Sequence, residues 1–237
     1  MLTGTQALAL LKSKLSVLFF LLAAYSNTML AQEKNLLNLH YAGGSDFFYR
    51  DMAEMIDYGN RNVNGVAVVI FEVTASKVIS VRHASTLDTD LQKNIEEALR
   101  QHEAKWSNLQ DTLQFVLPVK FTRSGADYFV DTYPSHFLKE IAVLGYSLST
   151  ASDVSGARIK PDEVLVKRLN QAVEKKKYKK AVKQLDELLQ RNPVSLQLRE
   201  TRIYCLNQLE RYEEACEDIA FIKEILRSDT RQNCINP

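Results

Sequence analysis

Glycine and proline are scarce in this chain, and so is net charge. Only eight Gly and five Pro occur among the 237 residues, which argues against a long disordered or Pro-rich spacer. The formal net charge is +1, so electrostatics give no support for nucleic-acid binding. Hydrophobic residues make up 46% and charged residues 25%, a composition that is typical of a globular protein.

Motifs that carry chemistry are also missing from the sequence. No Gly-rich loop has the pattern that cradles a phosphate, and Ser124 lacks the flanking glycines of a nucleophile elbow. The histidines have no Cys, Asp, Glu or His partner at a metal-motif spacing. We therefore expect no cofactor, no metal and no enzymatic activity. The four histidines are His40, His83, His102 and His136.

The N-terminus has the pattern of a targeting segment. Lys12 and Lys14 precede an apolar run over residues 15–25, which is shorter than a membrane-spanning helix requires. Small and polar residues follow, so we interpret the segment as a secretory signal that is cleaved after Ala31. The alternative is an uncleaved membrane anchor, because Met29 is not an ideal residue three positions before a cleavage site.

Three cysteines, Cys205, Cys216 and Cys234, lie in the C-terminal quarter. In an oxidising compartment, two of them can form a disulfide and leave one thiol. Alternatively, Cys205 and Cys216 are small buried residues of helices. We favour the second interpretation, because spacing alone does not show that two cysteines can be bridged.

Hydrophobic periodicity over residues 45–121 predicts a small α+β unit. Apolar residues at helical spacing predict helices over 45–58 and 87–106. Branched and aromatic runs over 65–73 and 78–82 predict two strands that form a hairpin. Strict alternation over 113–121 predicts a third strand. A hairpin followed by a helix that returns to a third strand makes a three-stranded sheet with helices.

Two features of these strands predict how the sheet is covered. The strand over 65–73 is apolar on both sides, with Val66, Val68 and Ile70 on one face, so we expect both faces to be buried. Pro118 has no N–H to donate, so we expect the third strand to be an edge strand at that point. The residues that share the other face of the first strand are Ala67, Val69, Phe71 and Val73.

The segment over residues 124–160 is the least regular. A short strand is predicted around 128–130, and a helix over 137–146 follows Pro134. Residues 147–156 are rich in Ser, Thr and small residues and are typical of a linker.

Four helices are predicted from residue 161 onward, and their apolar residues repeat. The predicted ranges are 161–175, 178–191, 194–209 and 212–227. An interval of 34 residues is typical of two-helix repeats that stack to bury their apolar faces. Tyr178, Ala181, Leu185 and Leu188 recur at that interval as Tyr212, Ala215, Ile219 and Ile222.

These positions, with Pro193 closing the first motif, resemble the tetratricopeptide repeat family. In the second motif Arg227 stands where the family has Pro. The resemblance implies a helical repeat domain whose first helices line a concave groove for a protein or peptide. Since two motifs are fewer than a stable solenoid needs, the pair should dock onto the other domain, self-associate or bind a partner. The residues that the resemblance places in the groove are Val166, Asn170, Val173, Glu200, Tyr204 and Asn207.

Residues 45–123 resemble the C-terminal domain of TonB-type energy transducers. The matching features are Gly65 with its apolar strand, Leu87-Asp88 and Lys105-Trp106 at the two ends of the second helix, and the Leu-Pro-Val-Lys-Phe sequence over 117–121. The family fold is a small sheet with helices on one face, and it binds outer-membrane transporters by β-augmentation. The chain departs from the family in lacking a Pro-rich spacer and the usual Gly of the hairpin.

The expected architecture is therefore α+β, a three-stranded TonB-like sheet domain followed by an all-α repeat domain. Its expected divisions are a signal peptide (1–31), the α+β domain (32–123), an irregular linker (124–160), the two-motif helical domain (161–228) and a tail (229–237).

The expected function is protein–protein interaction by a non-enzymatic protein that is exported to the periplasm or elsewhere in the cell envelope. Its partner would be an envelope protein or peptide, or a second copy of the chain. No nucleic-acid partner is expected, and the membrane would be contacted only through an uncleaved signal segment. The main alternative is a TonB-type energy-transducing component of outer-membrane transport with a retained anchor, and a less favoured one is a small envelope enzyme.

Overall fold

The computed structural model describes residues 36–58, 63–75, 77–85, 87–123, 130–145, 162–230 and 232–234. The predicted signal segment and the 147–156 linker lie outside these residues, as does most of the predicted 128–130 strand. The elements of the N-terminal part are α1 (Gly44–Met55), β1 (Gly65–Thr74), β2 (Lys77–His83), α2 (Thr89–Gln101), β3 (Leu113–Arg123) and β4 (Ile141–Gly145). The C-terminal part contains α3 (Asp162–Glu174), α4 (Tyr178–Arg191), α5 (Leu196–Asn207) and α6 (Tyr212–Ala220), which continues as a π-helical turn over Phe221–Ile225.

The sheet has four strands in the order β2-β1-β3-β4, so the expectation of three strands is wrong. The predicted hairpin is confirmed, because β1 pairs antiparallel with β2, and β1 also pairs antiparallel with β3. The fourth strand, β4, lies parallel to β3 within the segment where a helix over 137–146 was predicted. Apolar residues there have helical spacing, but the open edge of β3 offers backbone hydrogen bonds that favour a strand.

Pro118 does not mark an edge, because β3 lies between β1 and β4. Pro118 pairs with Val68 of β1. Val68 directs its own N–H to the Ser85 hydroxyl (2.8 Å) and its carbonyl to the N–H of Ala84 (2.8 Å). This antiparallel pair therefore exchanges no hydrogen bonds. The missing N–H of Pro118 faces the other neighbour, β4, whose regular pairing begins one residue later at Val119.

The sheet separates two apolar cores, and β1 contributes to both. Ala67, Val69 and Phe71 face a core with residues of α1 and α2 and the buried Trp106. Val66, Val68 and Ile70 face a second core that is built mostly from α3 to α6. The prediction that both faces of β1 are covered is thus confirmed, as is the assignment of residues to the two faces.

The four predicted C-terminal helices are confirmed, and their backbone repeats at the same interval as the sequence. At the end of α3, Lys176 has a left-handed φ of 53°, and the N–H of Lys177 donates to the Ala172 carbonyl (2.8 Å). At the end of α5, Glu210 has a φ of 58°, and the N–H of Arg211 donates to the Leu206 carbonyl (3.0 Å). Both are Schellman-type helix ends. None of the described helices combines the length and apolar character that a bilayer span requires.

The helical unit docks onto the sheet, which was one of three outcomes expected for a two-motif array. Helix α4 packs against β1. A Cβ atom at Gly65 would lie 2.5 Å from the Gln190 carbonyl oxygen, so a side chain at this position would block the approach. The large apolar repeat residues are buried in the shared core, namely Leu185, Leu188, Ile219 and Ile222.

Cys216 and Cys234 form a disulfide with a Cα–Cα distance of 5.0 Å, whereas the thiol of Cys205 is free and buried. The favoured interpretation of Cys216 as a buried apolar residue is therefore wrong, and that of Cys205 is confirmed. The reason is their position on the helices: Cys205 faces the core from α5, while Cys216 is only half-buried on α6. The tail reaches this side of the unit, because Gln232 donates from its side chain to the Glu200 carbonyl (3.2 Å).

Candidate functional site

The groove predicted from the repeat resemblance falls on the outer surfaces of α3 and α5, each of which packs against α4. Val166 is 40% exposed on α3 and Tyr204 is 44% exposed on α5. Asn170 is also exposed, whereas Val173, Glu200 and Asn207 are partly buried. Among the described residues, no hydrogen bond or ring contact links the α3 members of this set to the α5 members. The structure thus places the six predicted residues on two helices that both pack against α4, without joining them in one constellation.

Tyr204 has a partner that the sequence did not predict. Its hydroxyl lies 3.4 Å from the hydroxyl of Tyr178, and the two rings meet edge to face with centroids 5.9 Å apart. The hydrogen bond holds the pKa of Tyr178 above its ordinary value. Tyr178 opens α4 directly after the lysine-rich turn that follows α3. The tyrosine pair therefore connects the α5 surface to that turn.

A polar cleft of about 540 Å³ lies where α4, α5 and α6 meet the loop after β2. It is built around the buried carboxylate of Asp218, which accepts from Arg199 (2.6 Å) and from Arg202 (2.6 and 3.0 Å). Arg202 also donates to Asp186 (2.9 Å), and Arg199 stacks on Phe221 with 3.3 Å between its guanidinium carbon and the ring centroid. Burial lowers the pKa of Arg199 to about 10. Since two arginines meet two aspartates, the network is balanced in charge.

Sequence reasoning missed this network, although the repeat contains a signal for it. Asp218 and Gln184 are 34 residues apart, and both are buried between repeat residues that are apolar. A polar residue at this position in both motifs predicts a polar contact inside the helical unit. The first motif leaves the Gln184 side-chain oxygen buried without a hydrogen-bond partner. The second motif fills the same position with an aspartate that binds two arginines.

A second polar network fastens the N-terminal part to the end of α2. Asp51 is buried and accepts from the Tyr41 hydroxyl (2.7 Å) and from the Lys105 ammonium (2.7 Å). Burial alone would raise the pKa of Asp51, but hydrogen bonds from Lys105 and Tyr41 more than offset it, so the pKa is lowered. Burial and the same hydrogen bond raise the pKa of Tyr41. The network crosses from one element to another and has the character of a structural clamp.

A second cavity, of about 500 Å³, lies between α1 and the segment before β4. Its walls include Tyr49 and Tyr133, and both hydroxyls are already engaged. Tyr49 accepts from the backbone N–H of Lys139 (2.8 Å), and Tyr133 donates to the Glu140 carboxylate (2.5 Å). The cavity is mostly apolar, and its lining also includes the Ser45 hydroxyl, which donates to the adjacent Asp46 carboxylate over 3.5 Å at the start of α1.

The free thiol and the histidine rings bring no catalytic pair or metal site together in the described part of the chain. The Cys205 thiol is buried, and burial raises its pKa, which is opposite to the activation that a thiol nucleophile requires. The ring of His136 lies 2.8 Å from the Ile225 carbonyl, and His83 and His102 each keep a buried ring nitrogen without a hydrogen-bond partner. Within the described ranges, no group of three His, Cys, Asp or Glu side chains is placed to hold a metal ion.

Fold and surfaces together define an α+β protein with a four-stranded mixed sheet and a repeated helical hairpin docked on one face. A scan against protein-family models, a search of curated proteins and a search of solved structures each gave no match to this chain.

Proposed function

We propose that this chain is a non-enzymatic protein of the cell envelope that binds another protein through the outer surfaces of α3 and α5. The observation that carries the proposal is the exposure of apolar side chains there. Val166 on α3 and Tyr204 on α5 are 40% and 44% exposed, on helices whose inner faces are buried against α4. Val164 is 37% exposed but lies two residues from Val166, on a different side of α3. Large exposed apolar residues are a common mark of protein contact.

The docked arrangement supports this assignment of surfaces. Helix α4 is covered by α3, α5 and the sheet, so it is not available to a partner along these faces. Asn170 and Asn207 lie on the same outer surfaces as Val166 and Tyr204, and their amides can bond the backbone of a bound segment. The TonB-like part then serves as the scaffold on which the helical unit is fixed.

The proposed envelope location is supported by two features. The N-terminal sequence has the pattern of a secretory signal. The Cys216–Cys234 disulfide is of a kind that persists in oxidising compartments, while disulfides are rare in the reducing cytosol.

Resemblance to TonB-type domains also suggests binding by β-augmentation, and the sheet constrains where this would occur. The edge of β3 is taken by the chain's own β4, through pairs that run from Val119–Ile141 to Arg123–Gly145. A partner strand would therefore have to pair with β2 or β4, or displace β4. Among the described residues, each of these edge strands has one exposed large apolar side chain, Ile79 on β2 and Leu144 on β4. Because the outer surfaces of α3 and α5 combine exposed apolar side chains with amides, we propose the helical surface as the primary contact.

Photo-crosslinking in the native cell envelope tests the proposed surface. A photoreactive phenylalanine analogue replaces Val166 or Tyr204, and the exposed residues Lys93 and Lys223 serve as matched control positions. We expect a specific crosslinked partner at the two test positions and none at the controls. Equal crosslinking at all four positions, or none at the test positions, contradicts the proposal.

N-terminal sequencing of the protein recovered from the envelope tests the location. A mature chain that starts at Gln32 supports export with cleavage. An intact N-terminus in the envelope contradicts it, and favours an anchored transport component of the TonB type.

A further inference from the structure

The two helical hairpins have the same backbone but opposite charge at equivalent positions. The sequence Tyr-Lys-Lys-Ala over 178–181 recurs as Tyr-Glu-Glu-Ala over 212–215. The residues that precede the two helices have nearly identical conformations, with φ −86° and ψ 63° at Lys177 and φ −91° and ψ 64° at Arg211. The shared geometry does not explain why one hairpin has lysines where the other has glutamates.

Helix electrostatics make the difference more informative. The N-terminus of a helix has partial positive charge, which favours acidic residues in the first turn and disfavours basic ones. Helix α6 follows this rule with Glu213 and Glu214. Helix α4 has no acidic residue in its first turn and has Lys179 and Lys180 instead. The two lysines thus stand where they oppose helix stability, and a local conflict of this kind is expected at functional sites.

The lysines at this turn also lack partners. Five of them, Lys175, Lys176, Lys177, Lys179 and Lys180, are exposed, and no ion pair involves any of these five in the described part of the chain. In the second hairpin, by contrast, Arg211 forms a two-pronged pair with Glu214, with both distances 2.6 Å. The second turn therefore contains an internal ion pair, and among the described residues the first does not.

We infer that this lysine turn, with the Tyr178–Tyr204 pair beside it, is the docking site for an acidic segment of a partner protein. The inference rests on the proposed function, because the turn adjoins the α3–α5 surface. Carboxylates of the segment would contact the lysines, and its apolar residues would lie against the tyrosine rings and Val166. A protein segment is favoured over a lipid surface since Asn170 and Asn207 on the adjoining helices offer amides to a peptide backbone.

Fluorescence anisotropy tests the inference with the purified chain. The probe is a short labelled peptide of Asp, Glu and Leu, and its control has Asn and Gln in place of the acids. The test variant combines Lys179→Glu and Lys180→Glu, which copies the sequence of the second hairpin and so is compatible with the fold. The control variant combines Lys139→Glu and Lys223→Glu, which changes net charge equally at exposed positions elsewhere.

We expect the native chain and the control variant to bind the acidic peptide with the same affinity. The test variant should bind it about tenfold more weakly. Binding should weaken as salt increases, because exposed charges are screened. The neutral peptide should not bind.

Three results would overturn the inference: no binding of the acidic peptide by the native chain, equal loss in both double variants, or stronger binding to vesicles of phosphatidylglycerol than to the peptide. The last identifies an anionic membrane surface as the ligand. Each of these results leaves the crosslinking test at Val166 to decide the proposed function separately.

Discussion

Replacing Asp218 by Asn should destabilise the protein far more than the same change at Asp186, although both carboxylates bind Arg202. The Asp218 side chain is 1% exposed and receives three hydrogen bonds from two arginines, whereas that of Asp186 is 54% exposed and receives one. The amide of Asn has nearly the volume of the carboxylate, so the comparison isolates charge and hydrogen bonding from packing.

The expected loss of stability follows from the buried arginine charge that remains after the substitution. Arg199 is 6% exposed and remains under Phe221 with its charge uncompensated once Asp218 is neutral. Removing one partner of a buried ion pair costs about 3 to 5 kcal/mol. Removing an exposed partner costs about 0.2 to 1 kcal/mol, because water already screens the pair. We therefore expect the two variants to differ by about 2 kcal/mol or more.

Urea unfolding followed by two signals measures the effect. Far-ultraviolet circular dichroism reports mainly the helices, and the fluorescence of Trp106, the single tryptophan, reports the core on the opposite face of the sheet. Because β1 belongs to both cores, we expect the urea midpoints of the two signals to shift together. The slope of the free energy of unfolding against urea concentration should stay unchanged. A loss below about 1 kcal/mol for Asp218→Asn, or equal losses for both variants, would refute the reasoning.

Three further predictions concern helix charge, acid and the disulfide. Changing Lys179 and Lys180 to Glu should raise the free energy of unfolding by about 1 kcal/mol at low salt and by less at high salt; destabilisation in thermal unfolding would contradict this. The pKa of Asp51 is lowered in the folded state, so its contribution is present above its unfolded pKa near 4 and is lost as pH falls through the folded value. Below about pH 4, the stability of the Asp51→Asn variant should accordingly fall less steeply with decreasing pH than that of the native chain. Identical pH profiles of the two proteins would contradict this prediction. Removing the bridge by Cys234→Ser should cost about 2 to 3 kcal/mol, since it opens a loop with a sequence separation of 18, and the control is Cys205→Ala, which leaves the disulfide intact.

Periodicity predicted most of the elements because it records which residues meet a core. The strand over 65–73 and the four C-terminal helices were placed within a few residues, and the two faces of β1 were assigned correctly. The strand at Ile141–Gly145 was missed, because its apolar residues have helical spacing and only the open edge of β3 makes it a strand. Such an edge is a property of the assembled sheet, which local sequence does not encode.

The polar networks were missed for a related reason. Asp218, Arg199 and Arg202 look like ordinary charged residues of two helices, and their convergence depends on how those helices cross. The position of Pro118 was misjudged because its missing N–H points away from β1 and toward β4, whose regular pairing begins only at Val119. Of the predicted groove residues, Val166, Asn170 and Tyr204 are exposed and the other three are partly buried. Within the described part of the chain, no hydrogen bond or ring contact joins the α3 members to the α5 members.

Sharing β1 between the two cores has a consequence for how this protein can be divided or recombined. If the chain were cut after β4, Val66, Val68 and Ile70 would lose the helices that cover them and would expose a flat apolar sheet face to water. Such faces promote aggregation. The two halves are therefore not modules that can be exchanged with those of other proteins. An insertion or deletion that shifts β1 by one residue would exchange the side chains that β1 contributes to the two cores, and so would disturb the packing of both.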